Sequence, residues 1–506
     1  MILSHQDVVN IYGKLYSTAL SLYQNNKYQQ SLNYITTAAK WAYTTNFKYA
    51  DKDLEMLLMN IADNSISKIE INSDNNLRFL FLETHGIDNR GLTQQYLRAL
   101  MNMNAEILFV SVECLRTKCT DILKELSLYD KAKVILFDKT EDSFGKAKEI
   151  LKEVEKFQPS KLFLHLMPWD VTSLMVTHSI KGSLKYNINL TDHAFWLGSS
   201  FIDYNFEFRA YGKTVSLEKR NLKEEQLLYL PYYPILPKDK MSFQGFPIKT
   251  EDKVVIFTGG AFYKMFGKND LFFKIVDTLL NLSNKVNILI AGDGDRVIMN
   301  KKLSLLRNKE RVQLIGNRKD INEVFKACDI YLDTYPLGGG LMQQFASLNS
   351  KPILSFSDFN TYGESQENML KNSGNGICGH NNWDNFIIYA TKLINDIEFR
   401  KLEGVRNQQL VPSVEVFNKC FAQLITKHEN CLTWGAVSVN YGEMEKLYLE
   451  VENKYTHSAV KILIGRLKIN VFKIYPKCSF LFLKQIIYVL YRRIIIKKNL
   501  PKRFIV

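Results

Sequence analysis

Three glycine-bearing turns in the second half of the chain carry residues suited to holding an anion. They are TGGAFYKMFGKND (258–270), AGDGDR (291–296) and DTYPLGGGLMQQ (333–344). Each follows a short apolar run, where a strand hands over to a helix. Glycine lets backbone amides approach a ligand closely, and a helix N-terminus adds unsatisfied N–H groups and the positive end of its dipole. The guest such turns fit is a diphosphate, held at Gly260, Gly292, Gly338, Gly339 and Gly340, with Lys264 and Lys268 as point charges. Strand-to-helix turns also use glycine for tightness alone, so the case rests on three turns meeting at one sheet edge. Asp333 and Thr334 end a strand and would face the same cleft, with Gln343 and Gln344 in the following helical turn. A turn-capping role is the alternative for Asp333.

The first half offers candidates for proton transfer. In LETHGIDNRGLTQQYL (82–97), His85 lies on a turn with Gly86, Asp88, Arg90 and Gly91. An imidazole there could deprotonate an acceptor hydroxyl, or it could simply donate to a nearby backbone carbonyl. In NLTDHAFWLGSSFIDY (189–204), Asp192 and His193 stand directly before a large apolar block, which suggests an acid–imidazole pair at a cleft edge, with a satisfied core histidine as the alternative. His178 is a weaker candidate, and His165, inside an apolar strand, is expected to pack.

These residues need elements to position them. LRFLFLE (77–83), 105–112, 133–137 and 161–166 are strand patterns separated by helix-length segments, which implies right-handed crossovers and a parallel sheet. A second alternation runs through 253–259, 286–292, 311–316, 329–333 and 351–356. The proline-rich stretch 229–247 reads as a connector. The expected fold is α/β, two Rossmann-like domains with an N-terminal helical hairpin and a basic C-terminal helical tail. The expected boundaries are a helical, tetratricopeptide-like segment at 1–72, a first Rossmann-like domain at 73–235, a linker at 236–250, a second Rossmann-like domain at 251–432, and the tail at 433–506. Residues 382–430 look helical and are expected to pack back across both domains. Two such domains place a cleft between the carboxyl ends of their strands.

This layout resembles the GT-B glycosyltransferases, in position and rhythm most clearly over DIYLDTYPLGGGLMQQFASLNSKPIL. The resemblance covers roughly 77–430 and is nearest to the bacterial surface-polysaccharide and O-GlcNAc-transferase-like branch. It implies a nucleotide-sugar donor, UDP-linked, in the second domain and an acceptor in the first. It also implies that the base sits near Asn317 and Arg318 in GNRKD, and that catalytic roles fall to His85 or to Asp192 and His193. Many members hold the ribose with a glutamate after the diphosphate turn. Here Gln344 occupies that place. The fold needs no metal, and no metal or other cofactor is expected.

Composition bounds the rest. The chain has 506 residues, 46% of them apolar and 23% charged, with seven scattered cysteines, which argues for a reducing compartment and against a zinc site. The net charge of +14 is concentrated after Tyr455, where twelve Lys/Arg stand against no Asp/Glu. The body is therefore near neutral, which argues against nucleic acid as a partner. The tail alternates apolar blocks with basic residues and is expected to lie on an anionic membrane surface, with a packed terminal helix as the alternative. The expectation is a cytoplasmic enzyme, peripheral on the inner face of the cell membrane. It would move a sugar to a glycan or lipid-linked acceptor. A protein glycosyltransferase, a sugar-nucleotide epimerase and a non-catalytic membrane-associated scaffold are the rivals.

Overall fold

The structure is a computed structural model that describes residues 2–483 except 89–91, 140–141, 190, 237–240, 358–378, 436 and 480–481. The chain opens with three helices, α1 (His5–Gln24), α2 (Tyr28–Thr45) and α3 (Lys52–Ser65). Ser4 and Asp7 close the start of α1 with a reciprocal capping box, and Asp51 caps α3 through the Leu54 amide. One apolar face of α2, with Leu32, Ile35 and Ala39, is buried. A second face, with Ala38, Trp41 and Ala42, is buried as well, because α2 is enclosed by α1 and by the helix Ser458–Leu467. The Trp41 indole donates to the Val8 carbonyl at 3.1 Å, which pins the hairpin.

The first sheet has seven parallel strands: β1 (Arg78–Glu83), β2 (Glu106–Ser111), β3 (Ala132–Leu136), β4 (Lys161–His165), β5 (Leu184–Ile188), β6 (Tyr204–Glu207) and β7 (Leu227–Tyr229), in spatial order 3-2-1-4-5-6-7. The period-two alternation of LRFLFLE separates two cores. Leu80 and Leu82 face the N-terminal helices, whereas Phe79 and Phe81 face an aromatic stack with Phe163 and Tyr186. The last three strands extend the sheet beyond the four that the apolar runs predict.

The second sheet has six parallel strands: β8 (Val254–Gly259), β9 (Val286–Ala291), β10 (Val312–Gly316), β11 (Ile330–Leu332), β12 (Ile353–Phe356) and β13 (Gly379–His380), in order 10-9-8-11-12-13. In each sheet the order reverses beside the first strand, at β1/β4 and at β8/β11. Open α/β sheets take ligands at these switch points.

The chain then crosses back as expected for 382–430. Trp383–Asn395 packs in the second domain, but Val414–Lys427 puts Phe417, Phe421 and Leu424 into the aromatic core of the first. A helix inside the expected 251–432 span thus packs in the core of the first sheet. Tyr441–Val451 returns to the second domain through Met444 and Leu447. Ser458–Leu467 and the short turns to Cys478 then bury Val460, Leu463, Val471 and Ile474 against the N-terminal helices. The apolar face of this part of the tail is consumed by the protein's own core, which is the packed-helix alternative. Lys461, Lys468, Lys473 and Lys477 stay exposed. The remainder of the tail, 484–506, lies outside the described residues.

Candidate functional site

The three glycine turns do meet at the carboxyl edge of the second sheet. The Gly260 amide donates to the Ala291 carbonyl at 3.1 Å, the Gly292 amide to Gly316 at 2.9 Å, and the Leu337 amide to Lys264 at 3.2 Å. Gly292 has φ +132°, and a Cβ there would stand 1.9 Å from the Gly260 carbonyl oxygen, so only glycine lets the first two turns touch.

The turns differ in what their helices offer an anion. The helix after AGDGDR, Arg296–Leu303, is already capped by Asp295, which accepts the Val297 and Ile298 amides. Its positive end is occupied by its own carboxylate, and Gly292 serves turn packing. The helix after the three glycines, Gly340–Leu348, starts from Gly339 with no side-chain cap. Its first N–H groups are free of the acid that closes the neighbouring helix. The Lys264 ammonium stands beside it, donating to the Gly338 carbonyl at 3.2 Å. Burial lowers the Lys264 pKa, with Arg209 adding repulsion and Asp333 opposing the shift.

Asp333 takes the turn-capping role, at the Gly339 amide one residue ahead of the helix. Its carboxylate accepts the Gly339 amide at 2.9 Å, the Gln343 amide at 2.7 Å and the Tyr331 hydroxyl at 3.1 Å. It is 2% exposed, and burial raises its pKa against these hydrogen bonds. It shapes the turn from inside. Gln344 is placed differently: its Nε2 donates to the Tyr232 carbonyl at 2.7 Å, while its buried Oε1 has no partner among the described residues. That acceptor is suited to a sugar hydroxyl.

Asn317 is exposed beyond β10. Arg318 is committed to the connector, forking onto Asp320 at 2.7 and 2.6 Å and donating to the Gly245 carbonyl at 2.9 Å. A base near this turn would meet the Asn317 side chain and the backbone rather than the Arg318 guanidinium. Lys268 is drawn toward Glu443, away from the glycines.

In the first domain, Asp192 is buried and grips Arg209 through both carboxylate oxygens, one contact at 2.9 Å. His193 Nδ1 lies 3.3 Å from Asp192 Oδ1 with its side chain 36% exposed. Burial opposes ionisation of Asp192, but Arg209 and His193 outweigh it and hold the carboxyl well below the usual range. Nothing in the sequence around Arg209 singles it out. Its charge reaches Lys264 and Tyr232, which puts the Arg209 guanidinium within electrostatic range of the Lys264 turn.

His85 adopts the structural alternative, its Nδ1 3.1 Å from the Glu113 carbonyl. Asp88 caps the helix Thr120–Ser127 through the Asp121 and Ile122 amides, and Arg90 and Gly91 lie outside the described residues. His178 pairs with Asp63 at 2.9 Å. His165 does more than pack: it pairs with Glu83 at 2.6 Å and Thr93 at 2.9 Å where β1 and β4 end.

No protein-family model matches the sequence, and no curated protein matches it. Solved structures do. The chain is similar to a mutant of the Thermobaculum terrenum O-GlcNAc transferase, with TM-score 0.50 and 14% identity over 88% of this chain and 82% of that one. It is also similar to Anabaena HepE in complex with UDP and glucose, with TM-score 0.50 and 13% identity over 69% of this chain and 99% of that one. The fold is GT-B, as the strand orders and the facing sheet edges require.

Proposed function

We propose that the protein is a glycosyltransferase that takes a sugar from a nucleotide-sugar donor, UDP-linked, and passes it to a glycan or lipid-linked acceptor in surface-polysaccharide synthesis. One observation carries this reading: an uncapped helix N-terminus built from Gly338–Gly340, with Lys264 beside it and the Arg209 charge within electrostatic range. Amides, helix dipole and ammonium are what a departing nucleoside diphosphate needs as negative charge develops on it. The similarity to a structure holding UDP and glucose agrees with that use of the fold. The unpartnered Gln344 Oε1 would accept a ribose hydroxyl. His193, oriented by Asp192, would take the proton of an acceptor hydroxyl at Nε2 if Nδ1–H faces the carboxylate.

A protein acceptor is the second reading. It is favoured by the similarity to the O-GlcNAc transferase, which extends over 88% of this chain, against the 69% matched by the Anabaena protein. The site of action we propose is the cytoplasm, peripheral at an anionic membrane face, with the exposed Lys461, Lys468, Lys473 and Lys477 as contacts.

The test is calorimetric titration with UDP, followed by donor turnover with lipid-pyrophosphate and peptide acceptors. UDP binding weakened about tenfold by Lys264→Met supports the reading, since a charge-assisted contact is worth about 1.5–3 kcal/mol. A chain that binds no UDP sinks it. Lipid against peptide turnover separates the two acceptors.

A further inference from the structure

A second chamber lies at the carboxyl edge of the first sheet, roofed by residues far away in sequence. Its floor comes from the ends of four neighbouring strands: Thr84 after β1, Glu113 after β2, Lys139 after β3 and Asp170 after β4. Its roof is Lys40 of α2 together with Arg466 of Ser458–Leu467, and its volume is about 230 Å3. This is the β1/β4 switch point, where open α/β sheets take ligands.

The charges in the chamber are unbalanced in a specific way. Arg466 is fixed as a wall, its Nε donating to Thr37 at 2.9 Å and its NH2 to Asn33 Oδ1 at 2.6 Å. The Lys40 ammonium rests 4.7 Å above the Trp169 ring. Among the described residues Lys40, Lys139 and Arg466 make no salt bridge. Of the two carboxylates present, Asp170 is saturated by the Thr84 hydroxyl at 2.6 Å and by the Ser173 amide and hydroxyl, each at 2.9 Å. Among the described residues three cations therefore face two carboxylates, and Glu113 is the one whose charge reaches Lys40. Burial, Arg466 and Lys139 together depress the Lys40 pKa to about 8, with Glu113 opposing. A bound anion would relieve that repulsion.

We propose that this chamber binds a phosphoryl group, with Lys40, Lys139 and Arg466 as its counter-charges. Three cations, two in the roof and one in the floor, suit an anion with three or more acceptor oxygens. A carboxylate is served by a single guanidinium fork, and that of Arg466 already spends donors on Thr37 and Asn33. The phosphoryl group belongs either to a soluble molecule or to a lipid head. The site is distinct from the donor turn: one helical turn along α2, Tyr43 stacks edge-on to Trp169 and lines a separate cavity beside Tyr263 and Leu337.

Calorimetric titration of the full chain with inorganic pyrophosphate in excess UDP, which fills the donor turn, tests the proposal, comparing Lys40→Met, Lys139→Gln and Lys264→Met. Methionine keeps an apolar stem on Trp169, and a melting curve for each variant checks that it folds. Pyrophosphate binding should weaken about tenfold with each of the first two variants, the loss of one charged contact, and persist in Lys264→Met. Binding that survives both chamber substitutions, or that vanishes only with Lys264→Met, overturns the proposal. UDP binding should be unchanged by Lys40→Met, so this inference and the glycosyltransferase reading fail separately. Sedimentation with phosphatidylcholine vesicles, with and without phosphatidic acid, then identifies the source. Capture that depends on Lys40 assigns a lipid head, and pyrophosphate binding without such capture assigns a soluble phosphate.

Discussion

Gln344 Nε2 donates to the Tyr232 carbonyl at 2.7 Å, joining the helix behind the three glycines to the end of the first domain. The amide is needed as a donor there, because a carbonyl can only accept. Gln344→Glu would set a carboxylate against that carbonyl in a buried site. It should lower stability by about 1–3 kcal/mol, read by urea unfolding, and should not improve UDP affinity. A variant as stable as the parent would show that the contact carries nothing.

Asp333 organises the same turn from below, so its two replacements should differ. Asp333→Ala strands the Gly339 amide and the Gln343 donor, at about 1–3 kcal/mol for each unmet group, and should loosen UDP binding. Asp333→Asn keeps an acceptor for Gly339. Its new amide could meet the Gln343 Oε1, which is buried and unpartnered, if the Gln343 amide flips. The milder loss in Asp333→Asn is the expected result in denaturant melts.

Glycine is required at some positions and wasteful at others. Gly292→Ala forces a Cβ onto the Gly260 carbonyl in a left-handed backbone and should cost about 3 kcal/mol or more. Gly13 sits exposed within α1, and a Cβ added there would meet nothing within 4 Å, so Gly13→Ala should stabilise by about 0.5–1 kcal/mol. Paired melting curves read both signs.

Arg209→Met leaves the Asp192 carboxylate buried without its guanidinium, and breaking such a pair typically costs about 3–5 kcal/mol. The Asp192 pKa is depressed below its ordinary 3.8 in the folded state. The pair therefore contributes stability above that value, and the contribution is lost as pH falls through the folded pKa. Arg209→Met should flatten the acid limb of the stability profile as well as lower it.

Lys40 titrates at about 8 against an ordinary 10.5. Between those values the unfolded chain holds a proton that the folded chain has released, so this group raises stability as pH climbs from about 8 to 10.5. The groups it faces are Arg466, Lys139, Glu113 and Asp170. Pyrophosphate affinity should fall above about pH 8 in the parent, and the fall should disappear in Lys40→Met. Titrations at a series of pH values measure it.

Much of the architecture is legible because buried parallel strands are written in apolar runs. LRFLFLE and VNILIA name their own strands, and the glycines after them name the turns. β5 and β6 escape such a reading because polar side chains are buried among their apolar ones. Asn187, Asn205 and Glu207 satisfy one another inside the sheet, Asn187 Nδ2 donating to Asn205 Oδ1 at 2.7 Å and Asn205 Nδ2 to Glu207 at 2.6 Å. Hydropathy reads such strands as surface.

The sequence by itself determined two Rossmann-like domains, three glycine turns on one edge and an acid–imidazole pair in the other half. Those are local properties, set by periodicity and by what a turn demands of its residues. Only the tertiary structure decided that Asp295 closes one helix end while Gly339 leaves the other open, and that Gln344 has a carbonyl to satisfy. It also decided that Lys40 and Arg466, some four hundred residues apart, share a chamber. Capping, desolvation and charge repulsion depend on what lies across a gap, and the order of residues along a chain does not state what folds to face them.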